Sequence, residues 1–527
     1  MKTSFKLNNT SYSIFSFFVI ALLLIIPDII FSIFNNSFVV TKNPFALFFI
    51  FSISLLFIIN KNKKLSSCLS IFLSIIQCAQ FCHIKYFGVL ISPAALYLMT
   101  KEVADVVEES SSIFLSYLYI FPLVLIPFFA IYKISHNRKL SKYKQNPLIT
   151  IIVFFVSMSL PFFSSEQKGP NCANFSLENS VKAIIGYIEV IGQNHNFKNY
   201  KPYSVKKIKS VNESTTIVYI LGESTNPNHM SLFGYSEDTT PKLRQLAQSP
   251  DFYYTNGISG GVTTISSCKF MCNAIREPDN VKETSLDTVN LFRLAKLNGF
   301  KTFYISSKTN KMLPSIGGMP YMDVLIYKEQ YLTQFSKKRD TFLLELIAEQ
   351  EFSEKNFIVI HQRCIHAPYK KTIPQSFMAP KKFTNNKNNT INEYDNAVLY
   401  NDSVISGLFN IFNKFKGKFY IIWTSDHNEL MGENGLWGHS LLYPETAQVP
   451  VLIQSNDNDF LENIKEIFAI THYDICNSIA NLLGFKIINP NEEKDIYYIN
   501  GVDYIGRCGY IKFQKDYKNR RVKYFTN

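Results

Sequence analysis

Charged side chains are scarce in this chain: only 18% of its 527 residues are Asp, Glu, Lys or Arg, whereas folded soluble proteins carry roughly 25%. Acidic residues are fewer than basic ones: the chain has 41 acidic and 54 basic residues, which gives a net charge of +13. The composition excludes a disordered or collagen-like chain, because 47% of the residues are hydrophobic. A basic balance ordinarily suggests nucleic acid. Here the apolar residues concentrate at the N-terminal end, so we predict a membrane protein with no nucleic-acid partner.

Cysteine pairs with Cys-x-x-Cys spacing are absent, although the chain has nine cysteines. This absence argues against a zinc site built from cysteine. The region after residue 165 holds six of the nine: Cys172, Cys268, Cys272, Cys364, Cys476 and Cys508. An even number permits disulfides if that region is exported to an oxidising compartment, with a connectivity that sequence does not fix.

Long apolar runs fill the N-terminal third of the chain. They cover residues 12–34, 44–60, 66–86, 112–132 and 147–164. A membrane span needs about 20 mostly apolar residues, and these runs approach that length even though the third contains Gln77, Gln80 and His83. The pattern predicts a five-span transmembrane domain over residues 1–165.

The loops between these runs alternate in charge. The second connection carries three lysines between residues 61 and 64, and the fourth carries five basic residues between 133 and 144. The third connection is acidic, with Glu102, Asp105, Glu108 and Glu109. Basic loops stay in the cytoplasm, which predicts a cytoplasmic N-terminus and places everything after Ser165 outside the inner membrane, in the periplasm if the cell has two membranes. The basic balance then suits anionic membrane lipids.

The exported region alternates short strands with helix-length segments. After a linker or bridging helix at 166–210, the predicted strands are Thr216–Leu221, Thr302–Ser306, Phe357–His361, Phe419–Thr424 and Val451–Gln454. The predicted helices include Asp287–Asn298, Arg339–Gln350 and Glu393–Lys414. This alternation predicts an α/β/α sandwich with a mainly parallel sheet over residues 211–527.

Polar residues follow three of these strands where each strand ends. Glu223 follows the first strand, Asp426 and His427 follow the fourth, and His366 comes shortly after the third. Ligands of such sheets bind beyond the carboxyl ends of the strands, and carboxylate with imidazole is a typical zinc donor set. Each motif alone also fits a helix cap or an ordinary turn; their coincidence favours a metal site.

These segments resemble the membrane-anchored phosphoethanolamine transferases of the alkaline phosphatase and sulfatase superfamily. Residues 222–235 read GESTNPNHMSLFGY and lead to Thr-Thr-Pro at 239–241, which is similar to the family's G-E-x-x-R-x-x-H-x-x-L-x-G-Y…T-T-P. Residues 425–435 read SDHNELMGENG, where the family has S-D-H-G-E-S-L-G-E-N-G before a later histidine. Residues 394–402, YDNAVLYND, resemble the helix Y-D-N-x-x-x-Y-x-D. The resemblance covers essentially the whole chain.

The resemblance implies a zinc ion held by Glu223, Asp426, His427 and a threonine that is also the nucleophile. The family's nucleophile segment is S-C-G-T-x-T-x-x-S-x-P-C-M-F, and residues 259–271 read SGGVTTISSCKFM. One alignment places the nucleophile at Thr264, and a shift by one residue selects Thr263. The flanking cysteine pair of many relatives is absent in that form, which leaves a local disulfide unsupported.

The resemblance also implies residues that contact the phosphate. His366, in the segment IHAPY at 365–369, and His439 would face the phosphate or a second metal, although each also fits a hydrogen-bonded structural histidine. A phosphate-contacting lysine would be Lys308 or Lys311, and spacing does not choose between them.

The activity that the resemblance implies is a two-step transfer. Phosphatidylethanolamine would donate phosphoethanolamine to the threonine, and lipid A or a lipopolysaccharide core sugar would accept it, with the enzyme acting as a monomer. A sulfatase activity is disfavoured, because neither Cys268 nor Cys272 is followed by the Pro of a Cys-x-Pro-x-Arg sequence. Two alternatives stay open: a glycerol-phosphate transferase of the lipoteichoic acid synthase type, and a non-catalytic membrane scaffold.

Overall fold

The computed structural model divides the chain into two compact units, Met1–Gly192 with Gly432–Gly438, and Gln193–Met431 with His439–Asn527. It describes these residues: 9–34, 44–101, 103, 106–107, 110–111, 114–163, 175–192, 201–278, 286–377, 383–384, 388–502 and 509–525. Cys172, Cys508 and the four acidic residues of the third connection lie outside these ranges. The division of the sequence at 165 and 210 stays a prediction.

The first unit is helical. Its helices are α1 (Asn9–Phe34), α2 (Pro44–Ile59), α3 (Lys63–Phe87), α4 (Pro93–Lys101), α5 (Ile120–Ser135), α6 (Pro147–Ser159) and α7 (Ser176–Gly192). Among the described residues, two are long and apolar enough to cross a membrane: Thr10–Phe34 and Lys63–Phe87. Three more, α2, α5 and α6, are apolar but shorter. Each predicted run overlaps one of these five helices; within the described part of the fourth run, Phe114–Tyr117 form a 3-10 turn and α5 begins at Ile120. The five-span topology stays a prediction.

The polar residues of α3 have partners inside the first unit. Gln77 Nε2 donates to Asp28 Oδ2 at 2.9 Å, and Gln80 Nε2 donates to Ser180 Oγ at 3.0 Å. Asp28 also accepts a hydrogen bond from the backbone N–H of Ser176, at the start of α7. The amide N–H groups of Gln77 and Gln80 therefore have partners within the helix cluster, whereas Gln77 Oε1 and Ser70 Oγ are buried without a hydrogen-bond partner among the described residues.

A seven-stranded sheet forms the centre of the second unit. Its strands are β2 (Thr215–Gly222), β3 (Phe252–Ile258), β4 (Lys301–Ser306), β5 (Val324–Ile326), β6 (Lys355–His361), β7 (Lys418–Ser425) and β10 (Gln448–Ser455). Their order across the sheet is β3-β10-β7-β2-β6-β4-β5. β2, β4, β5, β6 and β7 are parallel, and β10 runs antiparallel to both of its neighbours.

Helices and shorter strands complete the described part of this unit. The helices are α8 (Pro241–Leu246), α9 (Thr264–Cys272), α10 (Leu291–Leu297), α11 (Leu313–Ile316), α12 (Leu332–Lys338), α13 (Thr341–Ala348), α14 (Tyr369–Thr372), α15 (Asn389–Phe412), α16 (Asn458–Lys465) and α17 (His472–Leu482). The strands are β1 (Ser204–Lys207), β8 (Leu430–Met431), β11 (Phe485–Ile488), β12 (Ile496–Asn500), β13 (Tyr510–Asp516) and β14 (Arg521–Phe525); β9 (Trp437–Gly438) belongs to the first unit. Buried aliphatic and aromatic side chains from the central strands and from α9, α10 and α17 form the core.

All five predicted strands are confirmed, and each is slightly longer than predicted. Two predicted helices were wrong at their first turns. Asp287 and Arg339 both have a φ of 51°, which a right-handed helix excludes, so α10 begins at Leu291 and α13 at Thr341.

The described cysteines of the second unit, Cys268, Cys272, Cys364 and Cys476, are all free thiols and all buried. The disulfides that the sequence permits are therefore not formed among these four residues.

Candidate active site

The first group of candidate ligands lies where two neighbouring parallel strands end. β2 pairs with β7 in a register that sets Gly222 opposite Ser425, so Glu223 emerges beside Asp426 and His427. One potential ligand atom from each lies within 4.8 Å of the others, and all three residues are buried. Position 222 needs glycine, because a Cβ there would lie 2.6 Å from the indole ring of Trp423. The sheet register thus assembles the three predicted donors.

The turn after Glu223 is held in an unusual backbone conformation. Ser224 has a φ of 48°, a left-handed value that costs energy for a residue with a Cβ. Its backbone N–H donates to Asp426 Oδ1 at 3.0 Å, and its hydroxyl donates to Glu223 Oε1 at 2.8 Å. The phenol of Tyr394, from the Y-D-N helix, donates to the carbonyl of Ser224 at 2.7 Å. These contacts orient both carboxylates.

The two candidate nucleophiles have different places at the start of α9. Thr263 is the N-cap residue: its hydroxyl accepts from the N–H of Ser266, and the Ser266 hydroxyl accepts from the N–H of Thr263. Thr264 is the first helical residue, with its Oγ1 3.4 Å from His427 Nε2. A Cβ at Gly261 would lie 2.4 Å from Ser266 Oγ, so this turn requires glycine there. The geometry brings Thr264, and not Thr263, to the donor group.

The two candidate lysines also separate. Lys308 follows β4 and is buried with its ammonium against Glu223 Oε2, whereas Lys311 is exposed. Spacing in the sequence did not distinguish them, because only the packing of β4 beside β6 in the sheet decides which lysine points to the site.

A second group adjoins the first. His439 Nδ1 donates to Glu429 Oε2 at 2.7 Å, and the rings of His427 and His439 stack with centroids 4.3 Å apart. Tyr369 donates its phenol hydrogen to the other Glu429 oxygen at 2.6 Å. His427, Glu429 and His439 also form a set whose potential ligand atoms lie within 4.8 Å of one another. Sequence reasoning missed Glu429 and Tyr369 as site residues; the signal for Glu429 was its place in the SDHNE segment.

His366 is buried near this group. Its Nδ1 lies 2.5 Å from the carbonyl of Ala367. Burial lowers the pKa of His366 well below its usual value, and the charges of Arg363, Lys308 and His439 add to the effect. The imidazole is therefore neutral near pH 7.

Burial also controls the charge of the donor group. It lowers the pKa of His427 to about 4, although the charge of Asp426 works in the opposite direction. For Asp426, burial raises the pKa, but the charges of His427 and Lys308 outweigh it and hold the pKa below the usual range. The group near neutral pH thus combines a neutral imidazole with ionised carboxylate.

Comparison with known proteins gives the following similarities. Residues 215–485 match the family model described as Sulfatase. Phosphoethanolamine transferase EptC of Escherichia coli strain K12 is 29% identical over 248 residues, which are 43% of this chain and 42% of that protein. The Kdo(2)-lipid A phosphoethanolamine 7''-transferase of the same strain is 29% identical over 305 residues, 52% of each chain. The chain thus spans about half the length of these curated relatives, or less.

One solved structure extends the likeness to most of the chain. The integral membrane protein lipooligosaccharide phosphoethanolamine transferase A (EptA) from Neisseria meningitidis matches with a TM-score of 0.61 and 18% identity, covering 89% of this chain and 95% of that one. At that identity the likeness shows the fold. The family resemblance given by the motifs is confirmed by these matches.

Proposed function

Because this chain belongs to the sulfatase family, whose model matches residues 215–485, we propose that it transfers phosphoethanolamine from phosphatidylethanolamine to lipid A or a lipopolysaccharide core sugar. The observation that carries the proposal is the position of Thr264, at the N-terminus of α9 and beside Glu223, Asp426 and His427. Curated relatives with matching segments carry the name of this activity. The chain would act as a monomer.

Thr264 is proposed as the nucleophile. Its hydroxyl is the one left available by the capping box, which occupies the hydroxyls of Thr263 and Ser266. The first N–H groups of a helix carry partial positive charge and favour a bound phosphate. A threonine at the first position of α9 therefore presents its oxygen where a phosphoryl group would be stabilised.

The donor group fits a zinc ion. Two carboxylates, one imidazole and one hydroxyl match the oxygen and nitrogen ligands that zinc takes. Asp426 Oδ2 is buried and has no hydrogen-bond partner among the described residues, although buried carboxylate oxygens are ordinarily paired. Glu223, Thr264, Asp426 and His427 would hold the ion. When bound, the metal would lower the pKa of the threonine hydroxyl and neutralise charge on the phosphate.

The first step is proposed to be attack of Thr264 Oγ1 on the phosphorus of phosphatidylethanolamine. The threonine hydroxyl loses its proton, an O–P bond forms, and the bond from phosphorus to the glycerol oxygen breaks. Diacylglycerol leaves after gaining one proton, and Thr264 carries phosphoethanolamine. Lys308 neutralises charge at Glu223, and neutral His366 can accept a proton. Splitting one displacement into two is the advantage of covalent catalysis.

The second step returns the enzyme to its starting state. A hydroxyl or phosphate oxygen of the acceptor attacks the same phosphorus, loses its proton, and the O–P bond to Thr264 breaks as the threonine regains a proton. The hydrogen bond from His439 Nδ1 to Glu429 orients the imidazole for this exchange. The Nε2 atom of His439 then faces away from that carboxylate. We propose that His366 and His439 contact the phosphate oxygens and carry these protons.

The location proposed for this chemistry is the periplasmic side of a bacterial inner membrane. The support is the five apolar helices of the first unit, of which two are long enough to span, together with the alternating charge of the loops. A multi-pass anchor would give the second unit direct access to a lipid donor.

The test is a covalent adduct. The purified full-length protein is incubated with phosphatidylethanolamine and no acceptor, then digested and analysed by mass spectrometry. Phosphoethanolamine on the peptide that contains Thr263 and Thr264, localised to Thr264 by fragmentation, is expected. Glycerol phosphate on that peptide after incubation with phosphatidylglycerol alone would instead identify a transferase of the lipoteichoic acid synthase type. If neither lipid gives an adduct and no diacylglycerol is released, the non-catalytic membrane scaffold is the remaining alternative.

A further inference from the structure

A buried histidine far along the chain joins the two segments that carry the donor group and the nucleophile. His472 is the first residue of α17 and is completely buried. Its Nδ1 lies 3.2 Å from the backbone N of Gly260, and its Nε2 lies 3.0 Å from the backbone O of Ser425. A backbone N–H can only donate and a carbonyl can only accept. The ring must therefore accept at Nδ1 and donate at Nε2, which requires one neutral tautomer.

Ser259 makes a second connection beside the first. Its Oγ lies 2.5 Å from the carbonyl oxygen of Asp426 and accepts a hydrogen bond from the N–H of Gly261 at 3.1 Å. The same oxygen lies 3.5 Å from Nδ1 of His472. The imidazole and the hydroxyl thus link the Ser425–Asp426 backbone to the Ser259–Gly261 backbone at two adjacent points.

These linked backbones carry the reacting groups. Asp426 and His427 directly follow Ser425, and Thr264 follows Gly260 by one short turn. The imidazole contacts and the Ser259 hydroxyl therefore both lie between the backbone that carries Thr264 and the backbone that carries Asp426 and His427. We infer that His472 is a positioning residue for the transfer, which fixes the nucleophile relative to the metal-binding side chains without touching the substrate. This inference rests on the proposed function.

The helix that carries His472 has other anchors. Thr471 and Asp474 form a capping box at its start, and Ile475, Cys476 and Ile479 are buried in the core. The fold of α17 does not depend on the imidazole alone. Loss of the ring should consequently loosen the spacing of the site more than it destabilises the unit, and a misplacement of about 1 Å at reacting groups can cost about 100-fold in rate.

The experiment compares four variants of the full-length protein in detergent. His472→Ala removes both contacts, His472→Asn retains an acceptor near the position of Nδ1, and His472→Gln retains a donor near the position of Nε2. Ile479→Ala, in the same helix, is the matched control for lost stability. Each variant is assayed for kcat and KM of diacylglycerol release from phosphatidylethanolamine, for the thermal midpoint, and for zinc retained after dialysis.

We expect His472→Ala to lower kcat about 100-fold with little change in KM, and to retain less zinc than Ile479→Ala. The Asn and Gln variants should each recover part of kcat. Ile479→Ala should lower the thermal midpoint at least as much and keep kcat. Equal losses of kcat and of zinc in His472→Ala and Ile479→Ala would show a purely structural role and overturn the inference. If the unmodified protein releases no diacylglycerol, the proposed function fails, and zinc retention alone then decides the positioning role.

Discussion

Replacing the adjacent threonines one at a time should separate helix capping from chemistry. Thr263→Ala removes the N-cap of α9, worth about 1 kcal/mol, and a buried methyl group worth about 0.8 kcal/mol more. Thr264→Ala loses a similar methyl group together with the weaker contacts of its hydroxyl, which lies 3.4 Å from His427 Nε2 and interacts with the Asp426 carboxylate. The stability loss should therefore be about 2 kcal/mol for Thr263→Ala and about 1 kcal/mol for Thr264→Ala.

The order reverses for activity. Thr264→Ala has no oxygen to attack phosphorus, so diacylglycerol release should fall at least about 1,000-fold, as it does when nucleophiles are removed from other enzymes. Thr263→Ala keeps the proposed nucleophile, Thr264, on a frayed first turn, and its rate should fall no more than about tenfold, which corresponds to about 1.4 kcal/mol in the barrier. Thr264→Ser keeps a hydroxyl and is the matched control.

The assay pairs the thermal midpoint in detergent with the rate of diacylglycerol release from phosphatidylethanolamine. If Thr264→Ala is active and Thr263→Ala is inactive, the nucleophile is Thr263 and not Thr264. Activity in both variants would refute the covalent mechanism itself.

Three further predictions concern topology, metal and pH. Reporter fusions after residues 64 and 144 should be cytoplasmic and a fusion after residue 170 periplasmic; a cytoplasmic signal at 170 would contradict the whole scheme. Asp426→Asn should lower the zinc content of the purified protein, and unchanged zinc would mean that the ligands are misassigned. Burial lowers the pKa of His361 to about 3, with the charge of Lys308 adding to the effect. Below pH 6.5 the unfolded chain binds a proton at His361 and the folded chain does not. The free energy of unfolding therefore falls as the pH falls, by about 1.4 kcal/mol per pH unit. The stability deficit of His361→Asn should shrink by about 2 kcal/mol from pH 7 to pH 5, and a constant deficit would show that His361 binds its proton over the same pH range in the folded and the unfolded chain.

The central strands could be predicted from sequence because each is a short run of buried β-branched and aromatic residues. Two strands of the sheet were missed. Phe252–Ile258 lies at an edge and is only half-buried or exposed through its middle, and Val324–Ile326 has only three residues. The reversed direction of β10 has no local signal, since chain direction in a sheet depends on the connections and not on composition.

The donor group could be predicted because its members follow strand ends that a parallel sheet brings together. The remaining contacts depend on packing between distant segments. The Tyr369–Glu429 and His472–Ser425 hydrogen bonds join residues 60 and 47 positions apart. A single sequence does not indicate which buried tyrosine or histidine forms a hydrogen bond with which distant residue. These contacts could therefore be identified only from the structure.

The left-handed turn at Ser224 implies a conflict between durability and activity at this position. Glycine would relieve the unfavourable φ of 48°, and such relief is typically worth about 1 kcal/mol. The same exchange would delete the hydroxyl that holds Glu223 Oε1 at 2.8 Å. Selection for heat resistance alone should therefore favour Ser224→Gly, whereas selection for turnover should retain serine. Laboratory evolution for higher thermal stability would therefore select a change at this turn that lowers the turnover rate.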